Sequence, residues 1–223
     1  MIRAVFFDVG GTLVRPWPSV GAVYSNVGSR FGFDASADAM ERAFREAWKT
    51  LKSDKPGTLT TSDKQWWRAL VFEALASLKL PGSEEARDAY FAALYDAFAQ
   101  PAAWQIYPEV VATIQACRSR GRHVGVISNW DQRLRPLLAK LGLGPMFDSL
   151  TISCEVGAEK PDPRMFHAAL RAAGVEAAEA LHVGDALDED IKAAENVGMR
   201  GIWIDRRDES ASLLNLVSQA LFG

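Results

Sequence analysis

The chain has 223 residues, with 25 Lys and Arg against 28 Asp and Glu and a net charge of -3. That length holds one large domain, or a main domain carrying a smaller inserted one. The charge balance offers no broad positive field to nucleic acid or an anionic membrane, so a small soluble substrate is the expected partner. Cys117 and Cys154 stand far apart with no companion at ligand spacing, which points to neither a disulfide framework nor a zinc site. The apolar run in MIRAVFFDVGG is too short for a signal-peptide core. No apolar stretch reaches the ~20 residues of a membrane span, and a reducing cytoplasm is the expected compartment.

The first predicted element is a strand at Ile2–Phe7, short, apolar and broken by Gly10-Gly11. Residues 16 to about 100 then read as successive helices. Ser36 caps one with the stripe Met40, Phe44, Ala47 and Leu51, and Ser62 with Gln65 makes a capping-box pattern ahead of Trp66, Leu70, Ala74 and Leu78. Ser83 opens another with Tyr90, Leu94 and Phe98 in line. Prolines flank this stretch at Arg15-Pro16-Trp17-Pro18 and Gln100-Pro101. Beyond it, strands at His123–Ile127, Ser149–Ile152, Ala180–Val183 and Gly201–Ile204 alternate with helices at Pro108–Arg120, Asp162–Ala173 and Ala186–Val197. Glycines 121, 174 and 198 stand where those helices should end. The expected fold is α/β, a doubly wound parallel sheet formed by residues 1–15 and 103–223, with a helical domain, 16–102, inserted after the first strand.

Loops at the carboxyl ends of parallel strands converge on one edge of the sheet. Four such positions here carry reactive or polar groups: Asp8, Ser128-Asn129, Lys160 and Gly184-Asp185. Together they supply a carboxylate nucleophile, a hydroxyl donor, a cation and a second carboxylate able to share a metal, the parts of a phosphoryl-transfer site. Singly each has an ordinary explanation as turn former, helix cap or surface lysine. Their common placement in one order is what turn formation has no reason to arrange.

FFDVGGTL at Phe6–Leu13, VISN at Val126–Asn129, EKPDPRMF at Glu159–Phe166 and HVGDALDED at His182–Asp190 resemble the four ordered motifs of the haloacid dehalogenase-like superfamily. TSDKQWW at Thr61–Trp67 with SNWDQR at Ser128–Arg133 is similar to its phosphatase-like branch, which carries a helical cap after the first strand. The resemblance implies a Rossmann-like core and a Mg²⁺-dependent hydrolase in which Asp8 attacks phosphorus to give an aspartyl-phosphate. It implies that Asp8, the Gly10 carbonyl and Asp185 surround Mg²⁺, with Asp190 supporting the metal shell. Ser128 and Lys160 are then catalytic, and Thr12 and Asn129 lie at the substrate. Phosphatases of this kind carry an acid/base aspartate where this chain has Gly10, and Asp131 is one candidate replacement, its ordinary reading being a first-turn helix acid. The same glycine resembles the superfamily's carbon-halogen hydrolases, so a dehalogenase, or a catalytically weak protein that binds metal and phosphate, stays open beside a phosphatase for small phosphate monoesters.

Overall fold

The computed structural model describes residues 1–53, 63–208 and 210–222, and the chain divides into two compact units, Met1–Arg15 with Ile106–Gly223, and Pro16–Gln105. The return crossing lies three residues later than the prolines suggest. Ala103 is buried in the helical unit's core and the Trp104 ring packs against it, so the chain stays there until Gln105. The two crossings, β2 (Val14–Pro16) and β3 (Trp104–Ile106), pair as a two-stranded sheet.

The first unit is built on a five-stranded parallel sheet in the order β5-β4-β1-β6-β7: Ser149–Ile152, His123–Ser128, Ala4–Phe7, Ala180–Gly184 and Arg200–Trp203. All four residues of β1 and all five of β6 are buried, as strands covered on both faces must be, which is why they read as unbroken apolar runs. Phe6 and Ile127 pack with Met165, Phe166, Ala169 and Leu170 of the helix Pro163–Ala173. Asp162 caps that helix by accepting the Arg164 N–H, and Gly174 ends it at φ 63, in the left-handed region that glycine enters without a Cβ penalty. From β1 the chain fills one side of the sheet and then returns to the other. The carboxyl end of β1 is thus the topological switch point, where open α/β sheets bind ligands.

The predicted helix Ala186–Val197 is found in altered form. Leu187–Lys192 winds as a π-helical turn, followed by a short α-helix, Ala193–Asn196. The Asp190 carboxylate turns back to accept the Ala186 N–H at 3.0 Å, and residue 184 must be glycine because a Cβ there would run into that carboxylate. Such turns cluster at functional sites.

The helical unit holds α1 (Val20–Gly28), α2 (Ala37–Ser53), α3 (Lys64–Ser77) and α4 (Glu84–Ala97). Ser36 accepts from the Ala39 N–H and Ser83 from the Ala86 N–H, as N-caps do. Ser62, of the capping-box pattern, lies outside the described residues, and α3 begins at Lys64 with Asp63 as its N-cap. Tyr90 is fully buried and donates its hydroxyl to the Tyr24 carbonyl at 2.9 Å, so the ring is covered at no cost in unsatisfied polar groups. Trp48, Trp66 and Trp67 pack ring to ring, whereas Trp17 stays exposed. Among the described residues no helix is long and apolar enough to cross a membrane.

Candidate active site

Asp8 leaves the end of β1 with its carboxylate nearly buried. Two donors meet its Oδ1: the Ser128 hydroxyl, from the end of β4, at 3.0 Å, and Lys160 Nζ at 2.7 Å. Both fall on one oxygen, and Oδ2 receives neither. Lys160 is buried and spends all three of its N–H groups, on Asp8, on Asp190 Oδ1 at 2.5 Å and on the Ile127 carbonyl at 3.0 Å. One ammonium between two carboxylates can compensate only one of them fully. Burial would raise the Asp190 carboxyl, but Lys160 and His182 outweigh it and hold that group well below the usual carboxylate range. For Asp8 burial wins over Lys160, and its carboxyl is raised. Burial likewise opposes the Lys160 charge, and Asp190 and Asp8 outweigh it, pushing the ammonium above the usual lysine range.

Asp190 is expected from sequence in the metal shell. The structure shows Oδ1 shared by Lys160 and His182 Nε2, the latter at 3.1 Å, and Oδ2 engaged by Ala186. His182 Nδ1 is buried without a hydrogen-bond partner. The tautomer with its proton on Nε2 places a bare lone pair there instead of an unpaired N–H and donates to Asp190. Asn129 is expected at the substrate, yet its amide clamps the Lys160 backbone, accepting the Lys160 N–H at 2.7 Å and donating to the Lys160 carbonyl at 2.9 Å. Thr12 is fully buried and donates to Asp185 Oδ1 at 3.4 Å. Its carbonyl is gripped by Arg206 Nη2 at 2.5 Å, while Arg206 also pairs with Glu109 and stacks on the Tyr107 ring. Arg206 and His182 escape a motif reading because their roles depend on which way a side chain points, and spacing does not record that.

Gly11 sits at φ 80, and a Cβ there would collide with the Asp185 carboxylate. The loop after β1 therefore approaches Asp185 as closely as backbone can. Gly11→Ala should displace that carboxylate and cost about 1–2 kcal/mol of backbone strain. Calorimetry is expected to show at least a tenfold loss of Mg²⁺ affinity; unchanged affinity would contradict this placement.

Asp8, Asp185 and Asp190 bring carboxylate oxygens within 4.8 Å of one another. With all three carboxylates ionised, the Lys160 ammonium leaves two negative charges uncompensated, the complement of one divalent cation. An all-oxygen donor set suits Mg²⁺, which keeps several waters and takes one or two protein carboxylates. Asp185 is the solvent-open member. Desolvation by the surrounding protein, then the charges of Asp8 and Asp190, push its carboxyl up to about 7. Solvent access weakens the first cause, so the neighbouring carboxylates are the cause to test. The folded state holds this proton more tightly than the unfolded chain, where Asp titrates near ~4. In metal-free protein this group's contribution to stability therefore falls as pH rises from there to about 7. Mg²⁺ should raise the melting midpoint more at pH ~8 than at pH ~5; an equal rise at both would contradict the assignment.

Gly10 has no side chain to move a proton, and Asp131 does not replace one. The Asp131 carboxylate is fully buried and taken bidentately by Arg133, at 2.9 and 3.0 Å from Nε and 2.6 Å from Nη2. Beside Gly10 stands Trp130, a residue that sequence reasoning passed over as part of the loop after Ser128-Asn129.

Comparison with known proteins agrees with this geometry. The model of the haloacid dehalogenase-like hydrolase family matches residues 2–198. A haloacid dehalogenase-like hydrolase domain-containing protein 3 from Bos taurus is 36% identical over 212 residues, 91% of this chain and 82% of that protein. A haloacid dehalogenase-like phosphatase from Thermococcus onnurineus superposes with a TM-score of 0.68 at 24% identity, covering 100% of this chain and 99% of that one. A 2-haloacid dehalogenase from Pseudomonas syringae gives a TM-score of 0.64 at 25% identity over 99% of this chain and 97% of its own. Solved relatives thus include both phosphatases and dehalogenases, and the chain belongs to the haloacid dehalogenase-like hydrolase family.

Proposed function

We propose that the protein is a Mg²⁺-dependent phosphatase for small phosphate monoesters, working through an aspartyl-phosphate on Asp8. The observation that carries this reading is the buried cluster in which Lys160 and Ser128 hold one oxygen of Asp8 while Asp185 lies beside it, leaving a charge deficit suited to a divalent cation. Asp8 and Asp185, with the Gly10 carbonyl, would hold Mg²⁺, and the bound ion would neutralise phosphoryl charge. A dehalogenase needs no such cation, and the deficit would then go unanswered.

Asp8 Oδ2 attacks phosphorus as the bond to the leaving oxygen breaks. Ser128 and Lys160 fix the carboxylate's orientation, and the Lys160 charge offsets the negative charge that gathers in the transition state. Water then attacks phosphorus as the bond to Asp8 breaks, its proton passes to a phosphate oxygen or to solvent, and phosphate is released with the carboxylate regenerated. Asn129 and Asp190 act through Lys160, one on its backbone and the other on its ammonium. Thr12 acts through Asp185. The helical unit would act as the cap that selects the substrate.

Gly10, together with the dehalogenase among the solved relatives, favours the second reading, hydrolysis of a carbon-halogen bond, because halide leaves without a proton. The test is release of phosphate from an aryl phosphate, with Mg²⁺ and with chelator, beside release of halide from a 2-haloacid. Mg²⁺-dependent phosphate release without halide release is expected. Metal-independent halide release without phosphate release would replace the phosphatase reading with the dehalogenase one.

A further inference from the structure

Among the described residues, four carboxylates other than Asp8 lie in or beside the site, and each has a partner or a place; Glu189 accepts from the Asn129 amide at 3.4 Å. Asp190 serves Lys160 and His182, Asp131 serves Arg133, and Asp185 belongs to the cation position. What stands next to residue 10, two positions after the nucleophile, is the indole of Trp130. A Cβ built on Gly10 would lie 3.2 Å from Trp130 Cζ3 and 3.9 Å from Cη2. Even that first carbon is tighter than an ordinary van der Waals contact, and the ring must give by a few tenths of an ångström to admit it.

The ring is delivered by fixed backbone. The buried Ser153 hydroxyl accepts the Trp130 N–H at 2.8 Å and donates to the Trp130 carbonyl at 3.0 Å, and the Cys154 N–H meets the same carbonyl at 3.3 Å. Gly11 and not Gly10 holds the left-handed conformation, so the backbone at residue 10 would accept a side chain. Among the described residues, Trp130 is what a Cβ on residue 10 would meet within 4 Å.

We propose that Trp130 is a specificity-determining residue. Its indole occupies the space an acid/base on residue 10 would need, and it confines turnover to phosphoryl donors whose leaving group departs without a proton, such as aryl and acyl phosphates. The proposal rests on Asp8 being the phosphoryl-accepting nucleophile. In the first step the leaving oxygen takes the bonding electron pair and departs as an anion, to be protonated by solvent. An alkoxide is too basic for that route, whereas a phenolate or carboxylate is not. Gly10 and Trp130 are thus a matched pair, and an aspartate at residue 10 can act only when the ring is cut back.

The experiment compares the wild type, Gly10→Asp, Trp130→Ala and the double variant, reading thermal midpoints and turnover of an aryl and an alkyl phosphate with Mg²⁺. Gly10→Asp alone is expected to lower the midpoint and gain nothing on the alkyl ester. The double variant should recover the midpoint and gain in kcat/KM on the alkyl ester by up to ~10²–10⁴-fold, the range of general acid/base catalysis, with far less change in kcat/KM on the aryl ester. The reason is that kcat/KM reports the leaving-group step and not the aspartyl-phosphate hydrolysis common to both. An equal alkyl gain in Gly10→Asp alone, or midpoints that simply add, would overturn the proposal. Trp130→Leu replaces Trp130→Ala if the latter does not fold. Four proteins inert even on the aryl ester would defeat the phosphatase reading and the selectivity with it, and the midpoints alone then report whether Trp130 fills the space.

Discussion

Asp8→Asn should lower phosphate release by about 10⁴-fold or more while leaving the protein folded. The amide has the shape of the carboxylate, and its Oδ1 can still accept from Ser128 and Lys160. It cannot form an acyl phosphate, so the covalent route closes. The stability change has a definite sign. Burial raises the Asp8 carboxyl because Lys160 is shared with Asp190, so a neutral amide relieves a partly uncompensated charge. The midpoint of Asp8→Asn in metal-free buffer should match or exceed that of the wild type. Turnover within tenfold of wild type would place the nucleophile elsewhere.

Lys160→Met should have the opposite profile, with a large loss of stability as well as of activity. It removes the one cation that touches both Asp8 and Asp190 and leaves two buried carboxylates facing each other. Breaking a buried pair by deleting one partner costs about 3–5 kcal/mol. In a chain of this size each kcal/mol moves the midpoint by about 2–4 °C, so a fall on the order of 6–20 °C is expected. The loss depends on pH in a stated direction. With Lys160 present, Asp190 sits below its ordinary value, so its contribution is present above about 4 and lost in acid. Without Lys160, burial prevails and the carboxyl rises, so stability is lost as pH increases. The gap between wild type and variant should therefore widen from pH ~4 to pH ~7 in melts with chelator. A gap that stays constant would mean that Lys160 acts through packing and not through its charge.

How much of this was legible in the sequence depended on what each feature obeys. Strands buried on both faces show themselves as short apolar runs, and the residues just after them must meet at one edge of a parallel sheet. Asp8, Ser128, Lys160 and Asp185 could be picked out on that ground alone, and the structure brings them together. The π turn at Leu187–Lys192 was not legible, because one extra residue in a turn leaves the apolar stripe of Leu187, Ile191 and Ala194 nearly unchanged. Asn129 and Asp190 could be placed at the site, Asp190 within the acidic cluster, but spacing does not say which partners take their polar atoms, the Lys160 backbone for one and Lys160, His182 and Ala186 for the other. For Asp131 the ordinary reading as a helix-start acid prevails over that of a replacement acid, because Arg133, two residues on, holds its carboxylate through backbone and side chain. Trp130 was missed because an aromatic residue beside a polar pair has no chemical signature, and its importance lies in the space that Gly10 leaves open.

A phosphoryl group carried on Asp8 should be visible by mass spectrometry of the acid-quenched protein. Wild-type protein mixed with Mg²⁺ and an aryl phosphate and quenched during turnover should carry one phosphoryl adduct on the peptide that contains Asp8. The adduct should be removed by hydroxylamine, as an acyl phosphate is, and should be missing from Asp8→Asn. Phosphate release with no adduct on Asp8, or with an adduct that persists in Asp8→Asn, would contradict the account.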